Sequence, residues 1–239
     1  VANPAERLPY RANTTQITAP LQPANGHAAA AGEHHVLVIG PSAHPYRRKA
    51  EDLAKLARTF AELPEAPKAV CFLADVRAQD RATVLASTGA ITELADDDLQ
   101  AAIDKAARLY ATGEDGQTLT RLCASGKPVT LLPLPYWYDG IPGNELVRNA
   151  LTLVVGGGTS YRGTPHQQHL LAQFVDGLVV RGWGKLPEDP ARLHRSLIAR
   201  GLLHPLDESE PMASPHPLDD LERVAASVRS ILTRVPEAA

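Results

Sequence analysis

Cysteine is nearly absent. Cys71 and Cys123 are the only two in 239 residues, too few for a disulfide framework. Each lies in an apolar context and reads as a buried thiol in a reducing compartment. Long apolar runs are also missing. The longest, near Leu151–Val155, falls far short of the ~20 residues that a membrane helix needs. Charge of one sign is not in excess: charged residues are 21% and the formal net charge is −3, which excludes a surface built to coat nucleic acid. No secretory signal is visible, and Val1 rather than Met opens the chain, so we expect a cytoplasmic chain that is part of a longer protein. What is present is core material. Hydrophobic residues make up 44%, enough to exclude wholesale disorder. The length suits one large domain or two small ones, at roughly 150 residues per domain.

Residues 1–34 carry Pro4, Pro9, Pro20, Pro23 and the run Ala28–Ala31 without a sustained period, and read as an arm or linker. Regular structure starts at His35. His35–Ile39 is a β-branched apolar run ending at Gly40, the pattern of a strand buried on both faces. Arg48 to Leu63 has helical apolar spacing and is stopped by Pro64 and Pro67. Lys68–Leu73 reads as a second strand and Asp80–Ser87 as a short helix. Asp96–Asp98 caps a helix running to about Lys105. Arg108–Ala111, then a helix over Gly116–Ala124, then a strand from Pro128 to Leu132 continue the alternation. The expected fold class is α/β, a Rossmann-like parallel sheet with flanking helices over 35–135. Residues 136–190 read as a mostly helical insertion, with an aromatic loop at Tyr136–Tyr138 and a helix over Pro165–Arg181. Residues 191–239 supply helices over Ala191–Arg200, ended by Gly201, and Leu218–Arg234, which complete the domain.

In such a sheet ligands sit beyond the carboxyl ends of the strands. Gly40-Pro41-Ser42 lies at one such end. Its amides and hydroxyl can hold a phosphate at a helix entrance, or form a plain tight turn. It is neither a Walker loop nor a dinucleotide fingerprint. Arg47-Arg48-Lys49 adds positive charge there, or forms a solvated basic face. Thr112-Gly113-Glu114-Asp115-Gly116-Gln117-Thr118 lies at another strand end. Its acids and hydroxyls can hold a sugar, a ribose or a metal, or cap the following helix. Gly126-Lys127-Pro128 reads as a helix end and strand start. Gly156–Gly158 reads as a hinge. His166 and His169 can share a helix face but lack companions for zinc, so no metal is expected. No nucleophile–base pair is apparent.

Taken in order, several segments resemble the C-terminal half of the mitochondrial-fission (elongated-mitochondria) family, whose bacterial members are often labelled nucleoside-diphosphate-sugar epimerases. They are Leu8–Arg11, Val36–Ser42 with Tyr46-Arg47, Leu109–Asp115, Ala124–Val129 with Leu132–Pro135, and Arg192–Gly201 with Pro205–Asp207. The resemblance implies a GT-B glycosyltransferase-like fold of two Rossmann-like domains, of which this chain holds the second. It implies a nucleotide-sugar donor as substrate and no further cofactor. Gly40, Pro41 and Ser42 match the family's glycine-proline-serine loop, the expected donor phosphate site, with Arg47 beside it. Arg77 matches an arginine of a serine-arginine-arginine-threonine segment. Thr112 and Glu114 match a threonine-x-aspartate and are assigned to sugar or ribose. Asp115 and Gln117 adjoin them where the family carries serine. Arg121 stands where the family carries glutamate, and an arginine cannot accept a hydroxyl hydrogen bond. The catalytic base would lie in the other half, so no catalytic residue is assigned. The rival reading is a non-catalytic scaffold, since plant members of the family are associated with recruiting a dynamin-type protein. It would use 136–190 as its protein-partner surface and sit in the cytoplasm or at a membrane periphery. An epimerase is disfavoured, because the dinucleotide fingerprint and a Tyr-x-x-x-Lys pair are both missing.

Overall fold

The structure, a computed structural model, describes residues 17, 32–43, 46–64, 66–89, 91–94, 98–136, 190–207 and 218–232. The chain divides into two compact units. One is Gln22–Trp137 with His194–Asp219; the other is Val1–Leu21, Tyr138–Leu193 and Asp220–Ala239. The expected arm over most of 1–34 and the insertion over 136–190, with its glycine hinge, its His166–His169 pair and its helix over Pro165–Arg181, lie largely outside the described residues.

The first unit is an α/β Rossmann-like domain. Its strands are β1 (His34–Ile39), β2 (Lys68–Phe72), β3 (Thr92–Glu93), β4 (Ala106–Ala111), β5 (Val129–Leu131) and β6 (His204–Pro205). They form one six-stranded sheet in the order β3-β2-β1-β4-β5-β6. Every pairing is parallel. Helices α1 (Ala50–Ala61), α2 (Ala78–Thr88), α3 (Leu99–Lys105), α4 (Gly116–Ala124) and α5 (Pro190–Ala199) connect them. A sixth helix, α6 (Asp220–Leu232), belongs to the second unit.

Burial explains the strand sequences. β1 is central, and Val36 to Ile39 are all buried, because both faces of a parallel sheet are covered. Leu37 and Ile39 share one face with Val70, Phe72 and Tyr110, under Leu53, Leu56 and Phe60 of α1 and Val84 of α2. Phe60 meets Tyr110 edge-on at 5.3 Å between ring centres. Helix α3 packs on β1 and β4. Both cysteines are buried, and burial pushes the Cys123 thiol up to about 12, so it is unreactive at neutral pH.

Among the described residues, the expected elements from Lys68 onward fall within a few residues of those observed. Helix α1 starts at Ala50 rather than Arg48, because Lys49 is still extended, at φ −90° and ψ 152°. Two short strands, β3 and β6, escape a pattern reading because each has only two paired residues. Asp98 caps α3 by accepting from the Ala101 amide, and Gly201 ends α5 at φ +66°, as expected.

His35, near the start of β1, carries a titration consequence. Its Nδ1 is buried without a partner and its ring leans on Tyr110. Burial, then the charges of Arg108 and Lys68, hold its pKa below the ordinary 6.5. The unfolded chain therefore takes up a proton that the folded chain resists. The stability that neutral His35 allows is present above about pH 6.5 and falls away as the pH drops below it. Denaturant midpoints should fall more between pH 7.5 and 5.5 for the natural chain than for His35→Phe. Equal falls would show that His35 is not the proton acceptor.

Candidate functional site

The sheet changes direction between β1 and β4: the chain moves outward through β2 and β3 from one side, and through β5 and β6 from the other. This is a topological switch point, where the carboxyl ends of two strands part and leave a crevice. A small crevice is found there, about 210 Å³ including its solvent-open part. It is lined by Val38 and Gly40 of the β1 end, by Ala111–Asp115 of the β4 end, and by Thr118 and Leu119 of α4. Of the sequence candidates it gathers Gly40, Thr112, Glu114 and Asp115.

Glu114 is the buried centre of this corner. Its side chain is 0% exposed and faces the Arg48 side chain, itself 1% exposed. Arg48 Nε donates to Glu114 Oε1 at 3.1 Å, and Nη2 donates to Oε2, a bidentate fork on a carboxylate. Arg48 Nη2 also donates to the Gly40 carbonyl at 2.7 Å, and Thr112 Oγ1 donates to Glu114 Oε2 at 3.0 Å. On the far side Arg48 Nη1 stands 3.6 Å from Asp80 Oδ2 with no hydrogen bond. Burial pushes the Glu114 carboxyl up, against the opposing pull of Arg48 and of the Thr112 hydroxyl.

Asp115 turns instead to its own helix. It accepts from the amides of Gln117, at 3.0 Å, and Thr118, at 3.3 Å, and from the Thr118 hydroxyl. Those donors of the α4 N-terminus are thereby satisfied by a carboxylate. Gln117 and Ser42 are exposed and Pro41 is half-buried. Arg47 pairs with Asp52 of α1, its Nε 3.1 Å from Oδ2. Arg77, its side chain 61% exposed, pairs with Asp80 at 3.1 Å. The two candidate phosphate arginines thus stand in ion pairs, Arg47 with α1 and Arg77 with α2.

The corner is held by residues that the motifs did not single out. Gly113 has φ +76°, and its carbonyl accepts from the Tyr46 hydroxyl at 3.2 Å. His194 Nε2 lies 2.9 Å from the same carbonyl, so that nitrogen carries the proton. Tyr46 stacks on Tyr136 at 4.9 Å, and the Arg47 amide donates to the Pro135 carbonyl. The loops after β1 and β5 are thus stitched together beside the crevice. A Cβ on Gly113 would lie 2.6 Å from Leu131 Cδ1 and 2.8 Å from His194 Nε2. Gly113→Ala should cost about 2 kcal/mol of stability through clash and backbone strain. Gly40→Ala, whose Cβ would meet nothing nearer than 3.7 Å, should lie within about 0.5 kcal/mol of the natural chain. Denaturant titration separates the two, and equal losses would show that the Gly113 corner relaxes freely.

Among the described residues no trio of His, Cys, Asp or Glu is placed to hold a metal ion. No described helix is long and apolar enough to cross a membrane. Compared with known proteins, the chain matches no family model, and no curated protein matches it significantly. The chemistry of the crevice therefore rests on its own residues. It offers a buried carboxylate already engaged by a guanidinium, a hydroxyl beside it, and a buried glycine at the β1 end.

Proposed function

We propose that this chain is a member of the mitochondrial-fission family that carries the nucleotide-sugar-binding half of a GT-B-type glycosyltransferase, acting on an acceptor held elsewhere. The observation that supports this best is the position of the crevice. The segments that resemble the family's loop and its threonine-x-acid motif meet at the switch point of a parallel sheet, where α/β folds bind nucleotides. In this reading Gly40, Pro41 and Ser42 receive the donor diphosphate, with Arg47 and Arg77 at the rim. Their positive charge stabilises the leaving diphosphate as the glycosidic bond breaks. Thr112 and Glu114 contact sugar or ribose hydroxyls, with Asp115 and Gln117 beside them. The protein would work in the cytoplasm.

One observation favours the scaffold reading instead. Both Glu114 oxygens are already bonded, so a hydroxyl has to compete with Arg48. Calorimetric titration with UDP, GDP, CMP and ADP sugars separates the two. The comparison variant is Ser42→Ala with Gln117→Ala; both side chains are exposed, so the variant should melt with the natural chain. Micromolar binding by one donor class, weakened about tenfold in the variant, is the expected result. A folded chain that binds none of them would sink the glycosyltransferase reading and leave the scaffold.

A further inference from the structure

The crevice as it stands is too small for the ligand that the preceding reading assigns to it. Pockets for cofactor-sized ligands span roughly 300–1,000 Å³, whereas the enclosed space here, about 10 Å³ for the centres of water-sized spheres, has room for about one water molecule. Beside this space lies the Arg48 side chain, extending over the end of β1 from Glu114 on one side to Asp80 on the other. It differs from its neighbours in how it is held. Asp115 is tied to the start of α4 by the amides of Gln117 and Thr118, and Thr112 and Glu114 lie in the short connection between β4 and α4. Arg48 sits in the connection before α1, outside any helix or strand, so its side chain can swing without unwinding an element.

Its bonding is also incomplete. The N–H groups on Nε and Nη2 are used by Glu114 and Gly40, whereas Nη1 is buried with no hydrogen-bond partner. A buried guanidinium with open donors is poorly satisfied, and phosphate oxygens fill such a fork well. Glu114, for its part, is acceptor-only while ionised and suits hydroxyl groups once the guanidinium leaves.

We propose that Arg48 is a displaceable plug: its guanidinium covers Glu114 in the empty crevice, and a nucleoside diphosphate draws it onto the phosphates, leaving Glu114 to the ribose or sugar hydroxyls. This rests on the nucleotide-sugar reading above and adds to it the residue that decides access. The exchange involves no covalent step. It makes the diphosphate the key to the site, so a nucleoside alone opens it poorly.

The test uses the whole chain labelled with ¹⁵N. A buried Nε–H in a bidentate pair exchanges slowly with water and gives its own resonance, assigned through the side-chain carbons of Arg48. UDP, GDP, CDP and ADP are titrated in turn, with calorimetry on the same samples. The expected result is that the diphosphate that binds also shifts the Arg48 Nε–H resonance in step with saturation, and binds at least about tenfold tighter than its parent nucleoside, as one charge-assisted contact would supply. Binding with that resonance unmoved would overturn the plug and leave the nucleotide reading standing. No binding by any of the four would overturn the nucleotide reading and the plug with it.

Discussion

Replacing Glu114 with alanine should cost the fold about 3–5 kcal/mol, the usual loss when one partner of a buried ion pair is removed. The reason lies in what remains. Arg48 would stay 1% exposed, with the Gly40 carbonyl as its one hydrogen-bonded acceptor and the Asp80 carboxylate 3.6 Å away. A cation stripped of water and of its bidentate partner, with one carboxylate left at 3.6 Å and out of hydrogen-bonding geometry, is costlier than the pair it came from. The double change Arg48→Met with Glu114→Leu should regain most of the loss, because the desolvation of both charges disappears together. Glu114→Gln should fall between, since an amide oxygen still accepts from the guanidinium. Denaturant unfolding of these chains, with Arg48→Met and Glu114→Leu made singly to close a double-mutant cycle around the double change, measures this. A Glu114→Ala chain within 1 kcal/mol of the natural one, on the scale of an ordinary surface change, would mean that Arg48 reaches water freely.

That cycle bears on function as well as stability. Two charges buried at a strand end stabilise little compared with apolar residues of the same volume. Their presence at a switch-point crevice, rather than in the middle of the core, is therefore better explained by a ligand than by folding. A Met–Leu chain at least as stable as the natural one, and unable to bind a nucleotide that the natural chain is found to take, would show that stability has been given up for recognition at this corner.

Much of the architecture was legible in the residues. His35–Ile39 and Lys68–Leu73 read as doubly buried strands because β-branched and apolar residues run nearly without interruption, and both lie inside the parallel sheet, the second ending one residue earlier at Phe72. Gly116–Ala124 emerged with its ends intact, because Asp115 and Gly126 supply a cap and a left-handed stop. What was not legible is long-range. β3 and β6 are strands only because β2 and β5 lie beside them. Of three consecutive basic residues, Arg47 pairs outward with Asp52 and Arg48 turns inward to Glu114, 66 positions away. A signal was available there. Tyr46, two positions before Arg48, is buried, so an alternation of sides through 46–48 would have turned Arg48 inward with it. Asp80 read as part of a helix start and His194 as part of a helix, because nothing local marks a partner 32 or 81 residues distant.

Lys127 provides the second large effect, in the segment that reads simply as a helix end and a strand start. Gly126, at φ +75°, lets the chain leave α4 and sends the next side chain back under the sheet. The Lys127 ammonium then donates to the carbonyls of Ile103, Asp104 and Ala106 at the end of α3. They cluster where α3 ends, at the negative end of its dipole, where helix carbonyls run short of internal partners; the Ile103 carbonyl also accepts from the Ala106 amide. Burial lowers the pKa of this lysine and nearby Asp104 opposes the shift. Lys127→Met keeps the apolar stem and removes the cap, and should cost about 3 kcal/mol, since each orphaned acceptor carries part of a charged hydrogen bond. Lys127→Arg should recover little, because a planar fork cannot reach three convergent carbonyls as an ammonium does. Lys105, exposed in the last turn of the same helix, serves as the control, and Lys105→Ala should lie within about 0.5 kcal/mol of the natural chain. Hydrogen exchange locates the loss: in Lys127→Met the amides of α3 and of the adjoining β4 should open first. Unchanged protection there, with the loss spread evenly over the sheet, would show that Lys127 acts through the core and not as a cap.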